Sequence, residues 1–90
     1  MKKIQITKQF KKDIKKIKKQ LKDIEKLKCI IDTLCEGGDL DSKYRDHKLT
    51  GDYREARECH IEPDWLLIYE SFEDVVKLRR TGSHSELFKS

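Results

Sequence analysis

A chain of 90 residues forms one small domain, residues 1–90, and its 42% charged and 36% hydrophobic residues would be compatible with disorder if the apolar residues were not periodic. No apolar run approaches the roughly 20 residues of a membrane span, so we expect no membrane association and a cytoplasmic protein. The net charge of +4 combines +9 in residues 1–28, which hold twelve lysines, with −5 in the rest of the chain. This asymmetry favours a polyanionic partner, although a solvated helix face is the more common cause of lysine-rich helices.

Cysteine and histidine usage argues against a metal centre or another cofactor. Three cysteines, an odd number, without a secretory leader indicate reduced thiols, and Cys29 and Cys35 fall in an apolar stretch where we expect both to be buried. Three histidines without a Cys-x-x-Cys pair do not resemble a zinc site.

The first third of the chain predicts a strand and an amphipathic helix. Residues 2–6 alternate with Ile4 and Ile6 on one face, as in a short strand. After Thr7, which can cap a helix, apolar side chains recur every three or four positions. They are Phe10, Ile14, Ile17, Leu21, Ile24, Leu27, Ile30, Ile31 and Leu34.

This periodic segment is too long to form one helix in so small a domain. An unbroken helix would measure about 40 Å at 1.5 Å per residue, well beyond the radius of gyration of about 12 Å expected for the domain. We therefore expect a helical hairpin that bends near residues 19–23, with Asp23 capping the second helix.

The second half predicts a loop and three strands. Residues 39–52 are polar and rich in turn formers, and long loops in compact domains are often functional. Strands are expected over residues 53–61, 65–70 and 75–80, followed by one turn of helix at most. The order β-α-α-β-β-β predicts an α+β fold, in which a two-helix hairpin packs on one face of a mostly antiparallel four-stranded sheet.

The polar residues of this half suit RNA cleavage without a metal. In that reaction a 2′-hydroxyl attacks the adjoining phosphate and the 5′-oxygen leaves, which requires a base, an acid and a cation. Imidazole can take either proton role, and a guanidinium can bind two phosphate oxygens. His60, Arg80 and His84 lie at predicted strand ends, which can converge at one sheet edge. Scattered histidines are nevertheless more often ordinary polar residues.

Three stretches carry a resemblance to the YafQ branch of the RelE/ParE superfamily of bacterial toxins. They are YRDHKLTGDY at 44–53, RECHIEPDWLLIY at 57–69 and RTGSHSELF at 80–88, in the family's order and spacing. The resemblance implies a toxin of a type II toxin–antitoxin system that cleaves mRNA, in association with the 70S ribosome and without a metal. It also implies a cognate antitoxin that forms a hetero-oligomer with a toxin that is monomeric when free.

The resemblance further implies the residues of a catalytic face. His84 is the expected general acid, and Asp64 or His60 is the expected base or its orienting partner. Arg80 matches the phosphate-binding arginine, although alternation puts Arg80 on the core face with Val76 and Leu78, so that either Arg79 or Arg80 could face the site. The implied catalytic set is His47, His60, Asp64, Arg80, His84 and Phe88, where Phe88 shapes the nucleotide site. Residues expected to bind RNA or the ribosome are Lys11, Lys15, Lys18, Lys22 and Arg54.

Other functions remain open from the sequence. ParE-like members of the superfamily inhibit DNA gyrase and do not need this His–Asp–His set. A non-catalytic RNA-binding module is a second alternative, but the aromatic residues do not form a row suited to base stacking. A helix-pairing protein is a third, yet the near-heptad from Phe10 to Ile24 is short for a coiled coil.

Overall fold

The computed structural model describes residues 1–50 and 55–88, and Arg54, one of the expected RNA-binding residues, lies outside these ranges. The described part of the chain forms three α-helices, one 3-10 helix and five strands. They are β1 (Lys3–Ile6), α1 (Lys8–Lys19), α2 (Ile24–Cys35), a 3-10 helix (Ser42–Tyr44), β2 (His47–Lys48), β3 (Arg57–Glu62), β4 (Trp65–Ser71), β5 (Val75–Gly82) and α3 (His84–Leu87).

Five strands of the described chain form one sheet in the order β1-β5-β4-β3-β2. β1 runs parallel to β5, and the other neighbouring pairs are antiparallel. The predicted α+β fold with a helical hairpin is confirmed, but the count of four strands is wrong. The additional strand β2 lies in the expected loop, where His47 and Lys48 pair with Glu58 and Arg57. Two residues are too few to show an alternating pattern in the sequence.

The helical hairpin bends near residues 19–23, as the length of the periodic segment predicts. α1 ends at Lys19, and the Asp23 side chain caps α2 by accepting a hydrogen bond of 3.1 Å from the Glu25 N–H. Leu21 makes the turn without glycine by adopting a left-handed conformation with φ of +59°, which costs an L-residue about 1–2 kcal/mol. None of the helices in the described ranges is long and apolar enough to cross a membrane.

Apolar side chains cover both faces of β4, as expected of a central strand. Trp65, Leu67 and Tyr69 pack in the main core with the apolar stripes of α1 and α2. Leu66 and Ile68 belong to a second, smaller cluster on the opposite face, which Leu87 of α3, Ala56 and Leu49 complete. Cys35, the last residue of α2, is buried in the main core, but Cys29 is exposed, which corrects the expectation that both thiols are buried.

The strand ends differ from those expected most of all in β3 and β5. β3 begins at Arg57, because Glu55 forms a turn and residues 53–54 lie outside the described ranges. β5 continues to Gly82 and contains a bulge, since its pairing with β4 passes from Tyr69–Leu78 to Ile68–Arg80 and skips Arg79. A bulge inserts one residue and resets the alternation of side chains that follow it.

Candidate active site

Three histidines from different elements meet on the sheet face opposite α1 and α2. The ring centroids of His47 and His60 lie 6.3 Å apart, and those of His60 and His84 lie 5.5 Å apart. The cause is simple: β2 pairs His47 with Glu58, and strand alternation places Glu58 and His60 on the same face. The structure therefore brings together three of the residues implied by the resemblance.

Glu58 is a functional candidate that the sequence analysis missed. Its side chain is buried, with one oxygen 3.3 Å from His60 Nε2 and 3.6 Å from His47 Nε2. A carboxylate between two imidazoles can orient both rings and stabilise either one when protonated. The sequence does contain a signal, because Glu58 and His60 are two positions apart in a predicted strand and so share a face.

His84 is positioned by the short helix α3. The Ser83 hydroxyl accepts a hydrogen bond from the Glu86 N–H, and the Glu86 carboxylate accepts one from the Ser83 N–H, which forms a capping box. Gly82 permits the close approach of this turn, because a Cβ there would lie 3.1 Å from a Glu86 oxygen. This local network fixes where the His84 side chain leaves the backbone.

Asp64 holds the His84 ring from the β3–β4 turn. Its Oδ1 accepts hydrogen bonds from the His84 N–H at 3.0 Å and from His84 Nδ1 at 2.8 Å. These two bonds lower the pKa of Asp64, the backbone bond being the larger cause. Because an ionised carboxylate only accepts, Nδ1 carries a proton and the reactive atom of the ring is Nε2.

One atom from each of Glu58, His60 and His84 lies within 4.8 Å of the others. This spacing suits proton transfer through a substrate placed among them, and the same donors can hold a divalent ion, since imidazole and carboxylate are ordinary ligands of zinc and copper. The neighbouring Cys59 does not compete as a nucleophile, because burial raises the pKa of its thiol to about 12.

The two arginines at the end of β5 point to opposite faces. Arg80 Nε donates to Asp13 of α1 at 2.9 Å, on the helix side of the sheet. Arg79 lies 3.4 Å from Glu70, whose face is that of Leu66 and therefore of Glu58. The contact with Asp13 gives Arg80 a structural role, and its expected contact with phosphate stays a prediction.

The expected RNA-binding lysines form a row along α1 and into the hairpin turn, exposed at three positions and half-buried at Lys22. Lys11, Lys15 and Lys18 are exposed on α1, and Lys22 lies in the hairpin turn with its Nζ 5.6 Å from the Trp65 ring. Lys22 also contributes to the lowered pKa of Asp64. Phe88 follows α3, with 40% of its surface exposed and its N–H donating to the His84 carbonyl at 2.8 Å.

A family profile described as a bacterial toxin of type II toxin–antitoxin systems, YafQ, matches residues 2–89. The chain belongs to the YafQ family. Its similarity to the mRNA interferase toxin YafQ of Escherichia coli K12 is 38% identity over 86 residues, covering 94% of each protein.

Solved structures of similar toxins share the whole fold. The toxin in the E. coli DinJ–YafQ complex superposes with a TM-score of 0.90 at 37% identity, covering 98% of this chain and 99% of that one. A metal-bound toxin from Helicobacter pylori gives a TM-score of 0.91 at 41% identity, covering 98% and 100% of the two chains. E. coli YafQ has therefore been crystallised in a toxin–antitoxin complex with DinJ, and a similar toxin from H. pylori has been crystallised with a metal.

Proposed function

We propose that this YafQ-family toxin is an endoribonuclease that cleaves mRNA at the histidine site and that a cognate antitoxin restrains it. The observation that carries the proposal is the convergence of Glu58, His60 and His84, with atoms within 4.8 Å of one another. The E. coli relative is named an mRNA interferase, which agrees with this chemistry.

His60 is the general base in this mechanism. Its ring takes the proton of the attacking 2′-hydroxyl, and Glu58 stabilises the imidazolium that forms, because its oxygen lies 3.3 Å from His60 Nε2. The 2′-oxygen then bonds to phosphorus. Asp64 is already engaged by His84, so it acts as the orienting partner of the acid, and His47 supports Glu58 from the other side.

His84 is the general acid. A protonated His84 donates from Nε2 to the departing 5′-oxygen as the phosphorus–oxygen bond breaks, and Asp64 supports the cation at Nδ1. The products are a 2′,3′-cyclic phosphate, which water can open to a 3′-phosphate, and a 5′-hydroxyl. One proton passes from the 2′-hydroxyl to His60 and one from His84 to the 5′-oxygen, so the step needs neither a redox partner nor a metal.

Binding and charge neutralisation involve residues around this centre. Arg80 is proposed as the phosphate cation because it matches the arginine of the family motif, and Phe88 is proposed as an aromatic wall of the nucleotide site. The lysine row is proposed to bind the RNA backbone of the 70S ribosome. The E. coli relative was crystallised with DinJ. An antitoxin of this chain that covers the lysine row would block cleavage.

The decisive experiment is incubation of purified toxin with mRNA, with and without ribosomes, followed by analysis of the new ends. We expect cleavage that leaves a 5′-hydroxyl, persists in a chelator and disappears in His84→Ala. A requirement for a specific divalent ion would contradict the acid–base mechanism. Added copper or zinc is expected to inhibit, because coordination occupies the lone pairs of the Glu58–His60–His84 set. Inhibition of DNA gyrase without RNA cleavage would support the ParE-like alternative instead.

A further inference from the structure

A concave pocket adjoins the proposed cleavage site. It has a volume of about 420 Å³ and lies between α2, the 3-10 helix and the β3–β4 turn, within the size range of small-ligand sites. His60 forms part of its wall, so the pocket and the histidine cluster share a residue. The other residues that matter here are Lys26, Lys43, Tyr44, Arg45, Glu62 and Pro63.

Three consecutive residues connect the pocket to the histidine cluster. Arg45 lines the pocket, Asp46 turns inward to bind Arg57 at 2.9 Å, and His47 enters the cluster. Arg45 has a φ of +50°, a left-handed conformation, and its carbonyl accepts a hydrogen bond of 2.7 Å from His47 Nδ1. This strained turn fixes the positions of a pocket cation and a site histidine relative to each other.

The charges of the pocket are arranged for an anion beside an aromatic ring. Glu62 neutralises Lys26 through an ion pair of 2.9 Å. Lys43 lies 5.1 Å from the centre of the Tyr44 ring, and within residues 1–50 and 55–88 neither Lys43 nor Arg45 forms an ion pair. Cations beside an aromatic ring are the combination with which proteins hold single-stranded RNA, through phosphate contacts and base stacking.

We propose that this pocket binds the nucleotide next to the scissile phosphate of single-stranded RNA. Lys43 and Arg45 bind its phosphate, and Tyr44 packs against its base. The position of the scissile phosphate rests on the proposed function, whereas binding of RNA in the pocket does not require cleavage. An acidic peptide segment of an antitoxin is the competing occupant.

The test measures binding of short single-stranded RNAs to the His84→Ala protein by fluorescence anisotropy. The probes form a series extended by one nucleotide at a time on the 5′ or the 3′ side. Lys43→Gln/Arg45→Gln is expected to weaken binding about tenfold and to reduce the salt slope by roughly 0.7, the contribution of the one single-strand phosphate that the two side chains bind. Tyr44→Leu keeps an apolar side chain but loses stacking, with an expected loss of about 5- to 100-fold.

Both effects should appear only with probes long enough to reach the pocket. The matched control, Lys3→Gln/Lys8→Gln, removes the same charge near β1, where Lys3 pairs with Val75 at the opposite end of β5 from Gly82. Pocket variants that bind every probe as the control does would overturn the proposal, and so would a loss confined to antitoxin binding. If the unmodified toxin fails to cleave mRNA, the proposed function is refuted. Binding of RNA in the pocket is then still tested separately by the anisotropy measurements.

Discussion

His84 and Asp64 meet through two hydrogen bonds that share one oxygen. The His84 backbone N–H lies 3.0 Å and its ring Nδ1 lies 2.8 Å from Asp64 Oδ1, across 20 positions of sequence. The first bond fixes the start of α3 relative to the β3–β4 turn, and the second fixes the ring and its tautomer. The side chain proposed as the general acid is thus positioned before any substrate binds, which is how enzymes reduce the cost of orienting a catalytic group.

His84→Ala is expected to slow single-turnover cleavage by about 10²–10⁴-fold, the usual contribution of a general acid. A substrate with a 5′-thio leaving group needs little protonation, so its cleavage by the variant should be largely restored. Asp64→Asn is the companion change, with an expected loss of about 10- to 100-fold that the thio substrate partly recovers. Equal slowing of both substrates by His84→Ala would show that His84 is not the acid.

Glu58→Gln should impair the opposite proton transfer. The amide cannot stabilise a His60 imidazolium, so we expect cleavage to slow by about 10- to 100-fold. Because the defect concerns the 2′-hydroxyl proton, the 5′-thio substrate should not rescue it, in contrast to His84→Ala. Glu58→Asp retains the charge and should recover part of the rate. Rescue of Glu58→Gln by the thio substrate would assign Glu58 to the acid instead.

The sequence predicts the features that depend on local periodicity. The bend at residues 19–23 and the capping role of Asp23 follow from helix length and from the preference of aspartate for helix starts. The proximity of His60 and His84 also follows, because strand ends joined by short turns converge at one edge. These features need no knowledge of how distant side chains pair.

The features that depend on pairing across the sheet could not be predicted from the sequence. Nothing in the sequence shows that β2 pairs with β3, so the approach of His47 to Glu58 could not be predicted. The bulge that skips Arg79 is equally invisible, because strict alternation assigns faces only while the register is unbroken. Alternation with Val76 and Leu78 does assign Arg80 to the helix side, but the sequence does not identify its partner Asp13, 67 positions away.

The lysine row is expected to bind the ribosome electrostatically. Reversing Lys11, Lys15 and Lys18 to Glu should weaken ribosome binding and flatten its dependence on salt, since each lost phosphate contact lowers the number of released counterions. Lys22 is left unchanged because it contributes to the electrostatics of Asp64. A triple reversal elsewhere, at Lys3, Lys28 and Lys77, serves as the control. Equal binding by the two triple variants in sedimentation assays would show that the row is only solvated surface.

Glu86 should make the stability of the fold depend on acid pH. The hydrogen bond from Lys16, followed by that from the Ser83 N–H, lowers the pKa of Glu86 from 4.5 to about 2. A carboxyl group whose pKa is depressed in the folded state contributes stability that is present above its unfolded pKa and lost as pH falls towards the folded one. The contribution should therefore disappear between about pH 4.5 and pH 2.

Glu86→Gln tests this window by urea denaturation across pH. At pH 7 the variant should be less stable by on the order of 1–3 kcal/mol, and the difference from the unmodified protein should vanish near pH 2. Glu73→Gln, a change in the exposed β4–β5 turn, should match the unmodified protein throughout. A difference between Glu86→Gln and the unmodified protein that stays constant from pH 7 to pH 2 would refute the assignment.

Asp13 and Arg80 allow structure and catalysis to be separated. Asp13 is buried and accepts bonds from Arg80 Nε at 2.9 Å and from the Thr81 N–H at 3.1 Å. Asp13→Asn leaves a partly buried guanidinium without its carboxylate, so we expect a loss of on the order of 1–3 kcal/mol in unfolding free energy. In Asp13→Asn/Arg80→Met both charges of this ion pair are removed together, and the amide oxygen can still accept from Thr81, so most of this stability should return. Cleavage by the stable double variant should nevertheless remain reduced by about 10²-fold or more, because the phosphate has lost a cation. Full activity of the double variant would show that Arg80 serves the fold alone.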